Sequence, residues 1–299
     1  MIAESILNRL AERLASALAS PRRALRPWIV DGATVGYLDA RRATLLSGFD
    51  DVFSVTQDAV ELACTLDGHD ARTRALDRVT RELAQRGELT RWRDERCPVR
   101  ARPDAPALLD LERAAARFFG IRTEAAHVNA ITHRDSLTAM WFARRSASKS
   151  IDPGQLDNLV GGGIACGQDV VSTVVKEAWE EAGIPGPLAA TALACGCLEV
   201  CRAQPDGVQR ETIHLHDLVL PADFVPTNQD GEVVAFMLVA PERAAELAGN
   251  DVGPDVVTAE AALVIADWLM RSDAFPAGSS AFARLDALRT RCSPGSPDS

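Results

Sequence analysis

Three glutamates, Glu177, Glu180 and Glu181, fall within five residues of one another in GGGIACGQDVVSTVVKEAWEEAGI, residues 161–184. A helix turns about 100° per residue, which sets Glu181 about 40° from Glu177 and Glu180 about 60° to its other side. All three crowd one face. Carboxylates this close repel unless something positive sits among them. A hard divalent cation suits the cluster, because Mg²⁺ and its relatives prefer carboxylate oxygen and keep waters for a substrate phosphate. The competing reading is a solvated acidic helix face. No arginine lies within the cluster, and Lys176 is expected to project about 100° away from Glu177.

The elements that must position these acids can be read around them. Val171, Val174, Val175, Ala178 and Ala182 recur at helical spacing on a separate stripe, which predicts a core-facing side. The apolar segment LDNLV reads as a strand, followed by Gly161, Gly162 and Gly163, and Gly183 stops the helix. Glycines here serve either a tight strand-to-loop turn or a close approach of backbone to a ligand.

With these residues in place, the segment resembles the Nudix box: Gly, five residues, Glu, seven residues, Arg-Glu, an aliphatic, any residue, Glu-Glu, any residue, Gly, an aliphatic. Gly162, Glu177, Glu180, Glu181, Gly183 and Ile184 match, with Ala178 a small stand-in for the aliphatic. Gln168 departs from the first Glu and Lys176 from Arg; both bear on the number of bound metals. Lysine keeps the charge but lacks the planar fork that holds a carboxylate bidentately. Over residues 26–275, PWIVDGATVGYL, FDDVFSV, WRDE, FFGI, HVNAITHR and NQDGEVVAF resemble one Nudix subfamily. It comprises the Nudix half of fungal thiamine pyrophosphokinase proteins with plant plastid and bacterial relatives, which share an N-terminal DUF4743-type domain of unassigned role.

The resemblance implies an α/β fold, a Nudix α/β/α sandwich with a mixed sheet, preceded by a smaller α+β domain. The expected division is 1–120 for that domain, 121–280 for the Nudix domain and 281–299 for a polar tail. It also implies metal-dependent hydrolysis of an organic diphosphate, most specifically oxy- or oxo-thiamine diphosphate. Glu177 and Glu181, helped by Glu180, would hold Mg²⁺ or Mn²⁺, while Gly161 and Gly162 bring backbone close to metal and phosphates. Glu232 is the candidate further carboxylate, with Asp230 second; a solvent-facing turn acid is the bland alternative. Arg145 and Lys149, and beside them Arg144, are candidate phosphate contacts, against ordinary solvated surface. His127 and His133 read as structural strand histidines. Trp28, Trp92 and Trp141 are candidates to hold an organic ring.

Rival readings keep the fold and change the ligand. One is a pyrophosphatase for a nucleotide such as ADP-ribose, NADH or an oxidised nucleoside triphosphate; another is a catalytically silent sensor. An isopentenyl diphosphate isomerase would need a partner for Cys166, and none is evident. No local motif supports Ser/His/Asp or Cys/His nucleophilic catalysis.

The net charge of −10 over 299 residues argues against a nucleic-acid partner held by its backbone. No apolar run approaches the ~20 residues of a membrane span, and residues 1–20 read as an amphipathic helix, not a secretory signal. Seven cysteines at irregular spacing predict a reducing, cytoplasmic setting. Cys195, Cys197 and Cys201 lack zinc spacing and read as small side chains buried by a strand. Nothing in the pattern specifies an oligomeric state.

Further predicted elements follow the hydropathy. They are strands around an Asp31–Gly32 turn, helices over 72–88 and LLDLERAAARFFGI, and a strand pair turning at His133–Ser136. A long strand PLAATALACGCLEVCRA, a PDG hairpin turn, a short helix from Pro241 and the helix VVTAEAALVIADWLMRS complete the set.

Overall fold

The computed structural model describes all residues except 1, 20–23, 135, 136, 150, 273, 274, 276, 277 and 292–299. The break expected at Pro21–Arg23, half of the His133–Ser136 turn and the SPGSPDS tail lie outside the described residues.

Strands β1 (Arg26–Val30) and β2 (Ala33–Leu38) form a hairpin whose Asp31 and Gly32 have φ of 54° and 75°, the left-handed pair a tight two-residue turn demands. Helix α2 (Ala40–Leu46) follows, capped by the Asp39 side chain. Strands β3 (Phe53–Val55) and β4 (Val60–Leu62) complete a sheet of order β2-β1-β4-β3. Helix α3 (His69–Gln85) packs over a ribbon of β5 (Arg96–Val99) and β6 (Leu109–Glu112). A 3₁₀ turn (Arg113–Ala115) leads into α4 (Ala116–Phe119), which ends at left-handed Gly120. Trp28 is fully buried against Phe119, 4.6 Å between ring centroids, so it anchors this core and is no ligand surface. The predicted helix LLDLERAAARFFGI is half strand: Leu109 and Leu111 alternate inward on β6, and only the later residues coil. Pairing with β5 overrides the local apolar spacing.

The second unit is a mixed sheet of order β11-β12-β7-β8-β13. Its strands are β7 (Arg122–Arg134), β8 (Leu137–Arg145), β11 (Leu193–Gln204), β12 (Gly207–Leu220) and β13 (Val233–Val239). Strands β9 (Leu156–Asn158) and β10 (Val160–Gly163) fill the fork where β7 and β8 diverge. There β10 pairs with Ala125–Val128 of β7, and β9 with Phe142–Arg144 of β8. Helix α5 (Val170–Ala182) covers one face, through Val174, Ala178 and Ala182 against Ala126, Val128 and Val160. Helices α7 (Pro241–Ala248), α8 (Ala259–Arg271) and α9 (Ser280–Arg291) build the other core. The start of the predicted strand PLAATALACGCLEVCRA is a helical turn, α6 (Gly186–Ala189), with Pro187 at its second position.

Three further expectations change. Helix α1 (Glu4–Ala17) leaves the N-terminal unit and buries Leu7, Leu10 and Leu14 against α7, α8 and α9, because its apolar stripe matches theirs. Residues 281–291 of the expected tail belong to α9, held by burial of Ala281 and Leu285. Cys197 and Cys201 face outward, half-exposed and exposed, while Leu198 and Val200 point to the core. The bulge at Gly196 resets the alternation. Among the described residues no helix is long and apolar enough to cross a membrane.

Candidate active site

Helix α5 begins where Gly167 turns the chain at φ 81° and Asp169 caps it, its carboxylate accepting from the Ser172 N–H while Ser172 Oγ meets the Asp169 N–H. It ends at Gly183, φ 65°, where a Cβ would lie 2.5 Å from Thr227 Oγ1. Apolar packing fixes its rotation and carries the acid stripe to the rim of a cleft of about 770 Å³. Val171, expected on the core stripe, is 61% exposed in the first turn of the helix.

Glu181 is the deepest of the three helix acids, 5% exposed, and accepts a 2.8 Å hydrogen bond from the Gly161 N–H at Oε2. Burial pushes its carboxyl up to about 8, against that bond and with the nearby Asp157 and Glu177 charges adding to the rise. Burial also raises Glu177, opposed by Lys176. Contrary to its expected direction, Lys176 curls back: Nζ lies 3.0 Å from Glu177 Oε1 and 2.9 Å from Glu180 Oε2. A four-carbon stem spans the 100° that separates the Cβ directions.

The three glycines are not a turn. They form β10, and none has positive φ. Each leaves room for a different side chain. A Cβ on Gly161 would meet the His127 ring at 3.1 Å, one on Gly162 would lie 2.4 Å from Glu177 Cδ, and one on Gly163 1.3 Å from Arg113 Nη2. Successive strand positions point to opposite faces, so Glu177 lies on one side of β10 and His127 and Arg113 on the other. The cleft wraps that strand's free edge, since among the described residues β10 pairs only with β7.

Arg145, Lys149, Asp230 and Glu232 all line the cleft. Lys149 is ion-paired to Glu232, and Arg145 Nη1 lies 2.7 Å from Asp157 Oδ2. Arg144 does not line it; alternation along β8 turns it to Asp255 and the Pro254 carbonyl. His127 Nδ1 donates to Asn158 Oδ1 at 2.9 Å, and the ring is buried. His133 is exposed beside Thr138. Trp92 lines the cleft, whereas Trp141 is buried with Nε1 3.2 Å from Thr132 Oγ1.

Asp157, Glu260, Arg93, Arg113 and Arg117 belong to the same wall and escaped the sequence reading. An acid inside the apolar run LDNLV was the available signal for Asp157. Arg93 falls within the motif WRDE, which marked the segment but gave it no role; Arg113 and Arg117 carried no signal, being spread among ordinary surface charges of a different unit.

The donor set fits a hard cation: carboxylate oxygens on one helix face, one of them buried, opening on a wide cleft where water can complete the shell. Among the described residues, no three His, Cys, Asp or Glu side chains converge as a ready cage. Lys176 spans Glu177 and Glu180, and the Gly161 amide holds Glu181.

Residues 7–123 match the family described as a domain of unknown function, DUF4743, and residues 123–259 match the NUDIX domain. Nudix hydrolase 24, chloroplastic, of Arabidopsis thaliana is 38% identical over 247 residues, covering 82% of this chain and 67% of that protein. Nudix hydrolase 20, chloroplastic, of the same plant is 36% identical over 275 residues, covering 89% and 73%. The crystal structure of DR0079 from Deinococcus radiodurans aligns with 57% of this chain and 97% of its own, at 23% identity and a TM-score of 0.42.

Proposed function

This chain belongs to the Nudix hydrolases, and on that premise we propose that it hydrolyses the diphosphate of a damaged thiamine diphosphate to the monophosphate and phosphate. The observation that carries a diphosphate is the meeting of Glu177 and Glu180 with the glycine strand at one cleft, with Glu181 buried behind them on the Gly161 N–H. The thiamine assignment draws its support from the subfamily motifs outside the box and from Trp92, the tryptophan that lines the wall among the described residues.

Glu177, Glu180 and Glu181 would hold Mg²⁺ or Mn²⁺. When bound, such an ion neutralises charge developing on the diphosphate oxygens. Glu181 is kept in place by the Gly161 N–H, and Glu177 by the space above Gly162. Water attacks phosphorus, the bridging P–O bond breaks, and Glu232 takes the proton of the attacking water. The Glu232 N–H donates to Asp230 Oδ1 at 2.8 Å, which fixes the loop that presents it. Lys149 balances its charge until substrate arrives.

A second reading, a sensor that binds without hydrolysis, takes its support from Lys176, which already neutralises two of the three acids. Phosphate release separates the two, measured with Mg²⁺ and with Mn²⁺ from oxythiamine diphosphate, thiamine diphosphate, ADP-ribose and NADH. Phosphatase is added for the nucleotides. Faster turnover of oxythiamine diphosphate than of thiamine diphosphate, abolished in Glu181→Gln, is the expected result. Turnover of nucleotides alone overturns the thiamine assignment. Unchanged ligand binding in Glu181→Gln with no turnover in either protein favours the sensor.

A further inference from the structure

The N-terminal unit reaches the cleft with an excess of positive side chains, four arginines to the acid Glu95. Arg91, Arg93, Arg113 and Arg117 line it opposite the acids of α5. A smaller adjoining cavity of about 140 Å³ is lined by the same four. Like charges so gathered repel, and they stay together only where the fold holds them or an anion joins them.

The fold does hold them. Buried Glu112 accepts from the Arg93 N–H and from the Ala114 N–H, both at 3.1 Å on Oε1. One carboxylate thereby ties the loop that carries Arg93 to the 3₁₀ turn that carries Arg113. Arg91 and Asp94 sit at φ 68° and 55°, a conformation non-glycine residues adopt at a cost and that gathers at functional sites.

The guanidinium groups remain under-satisfied. Arg113 has a 3.8 Å contact to Glu95 and a 3.5 Å bond to the Ile164 carbonyl, and Arg117 lies 3.6 Å from Asp206. Among the described residues the Arg93 guanidinium has no hydrogen bond or ion pair. Burial, and then Arg113, draw it below the usual arginine range. Arg113 lies in the space that a side chain at Gly163 would take, one residue from the glycine that accommodates Glu177.

Resting on the diphosphate reading above, we propose that the N-terminal unit completes the active site. Arg93, Arg113 and Arg117 bind the phosphoryl group that does not sit on the α5 carboxylates. A diphosphate lying across the free edge of β10 meets carboxylates on one face of the strand and guanidinium groups on the other. Guanidinium matches phosphate oxygens bidentately, and three such groups favour a terminal, doubly charged phosphoryl over an internal one. The substrate is thus a phosphate-terminated organic diphosphate, not a dinucleotide bridged at both ends.

The test uses the full chain. Inorganic phosphate is titrated calorimetrically at fixed ionic strength without metal, into wild type, Arg93→Ala, Arg93→Lys, Arg113→Ala and a control, Arg74→Ala, exposed on α3. Thermal melting confirms that each is folded. Phosphate affinity is expected to fall about tenfold in Arg93→Ala and in Arg113→Ala, less in Arg93→Lys and not in Arg74→Ala. With whichever diphosphate is turned over, KM rises about tenfold in Arg93→Ala while kcat stays within about threefold. Equal phosphate affinity in wild type and folded Arg93→Ala, or no phosphate binding by wild type, overturns the proposal. Should no diphosphate be hydrolysed, the hydrolase reading fails by itself, and the phosphate titration still decides this one.

Discussion

Glu177 lies against the bare Cα of Gly162, so close that a Cβ there would come within 2.4 Å of both Cγ and Cδ. Gly162 has no positive φ; its value lies in the space it leaves. Gly162→Ala therefore retains backbone geometry and expels the Glu177 carboxylate from its place. Displacement of an aligned group by about an ångström costs on the order of a hundredfold in rate. We expect kcat/KM to fall by that much with an unchanged circular dichroism spectrum; turnover near wild type would remove Glu177 from the mechanism.

Lys176 joins Glu177 to Glu180 at 3.0 and 2.9 Å, and these two carboxylates hold its pKa above the ordinary value despite the burial that lowers it. Replacing it by Ala leaves two adjacent acids without their counter-charge. Charge-assisted hydrogen bonds contribute about 1.5–3 kcal/mol, so Lys176→Ala is expected to lose about tenfold in kcat/KM, and Lys176→Arg to recover most of it. Steady-state kinetics across the three proteins checks the order.

Glu260 supplies a pH dependence. Burial would raise its carboxyl, but Arg202, its own backbone N–H and Gln209 overcome this and hold it below the ordinary range. Oε1 lies 2.5 Å from Arg202 Nη2 and 2.8 Å from Gln209 Nε2. A carboxyl lowered in the folded state contributes stability that is present above its unfolded pKa, about 4.3, and lost as pH falls through the folded value. Glu260→Gln should lose about 3 kcal/mol at neutral pH by leaving Arg202 unpaired. It should also lack that component of acid destabilisation. Denaturant midpoints from pH 3 to 7 measure both.

Gly207 begins β12 at φ 145°, and a Cβ there would lie 1.8 Å from the Arg117 carbonyl oxygen. The obstruction is backbone, which cannot swing away. Gly207→Ala should destabilise the chain by about 3 kcal/mol or more and loosen α4 from β12. Gly231→Ala, where nothing lies within 4 Å of the added carbon, should meet only the φ penalty. Thermal melts of the two variants test the contrast.

The acid cluster was legible in sequence because helical geometry is local: Glu177, Glu180 and Glu181 share a face whatever surrounds the helix. Gly183 as its stop, the Asp31–Gly32 turn and the strands β7 and β8 follow equally from short-range spacing. The later half of LLDLERAAARFFGI was helical as expected and its first half was not, because β5 supplied a partner that no local pattern reveals. The α9 helix escaped for a similar reason, being ordered by burial against α1 from the far end of the chain.

Tertiary structure alone decided the rest. It buried Glu181 to 5% exposure, turned Lys176 back onto its neighbours and placed Asp157 beside Arg145. It also set Arg93 and Arg113 of the first unit against the glycine strand of the second. The sequence by itself determined which groups stand on one helix face, since one residue's rise and rotation fix that. How deeply each group is buried and which distant charges face it depend on packing between elements far apart in the chain. The chemistry of the cleft is set by both: the acids by spacing, their pKa values and cationic partners by the fold that encloses them.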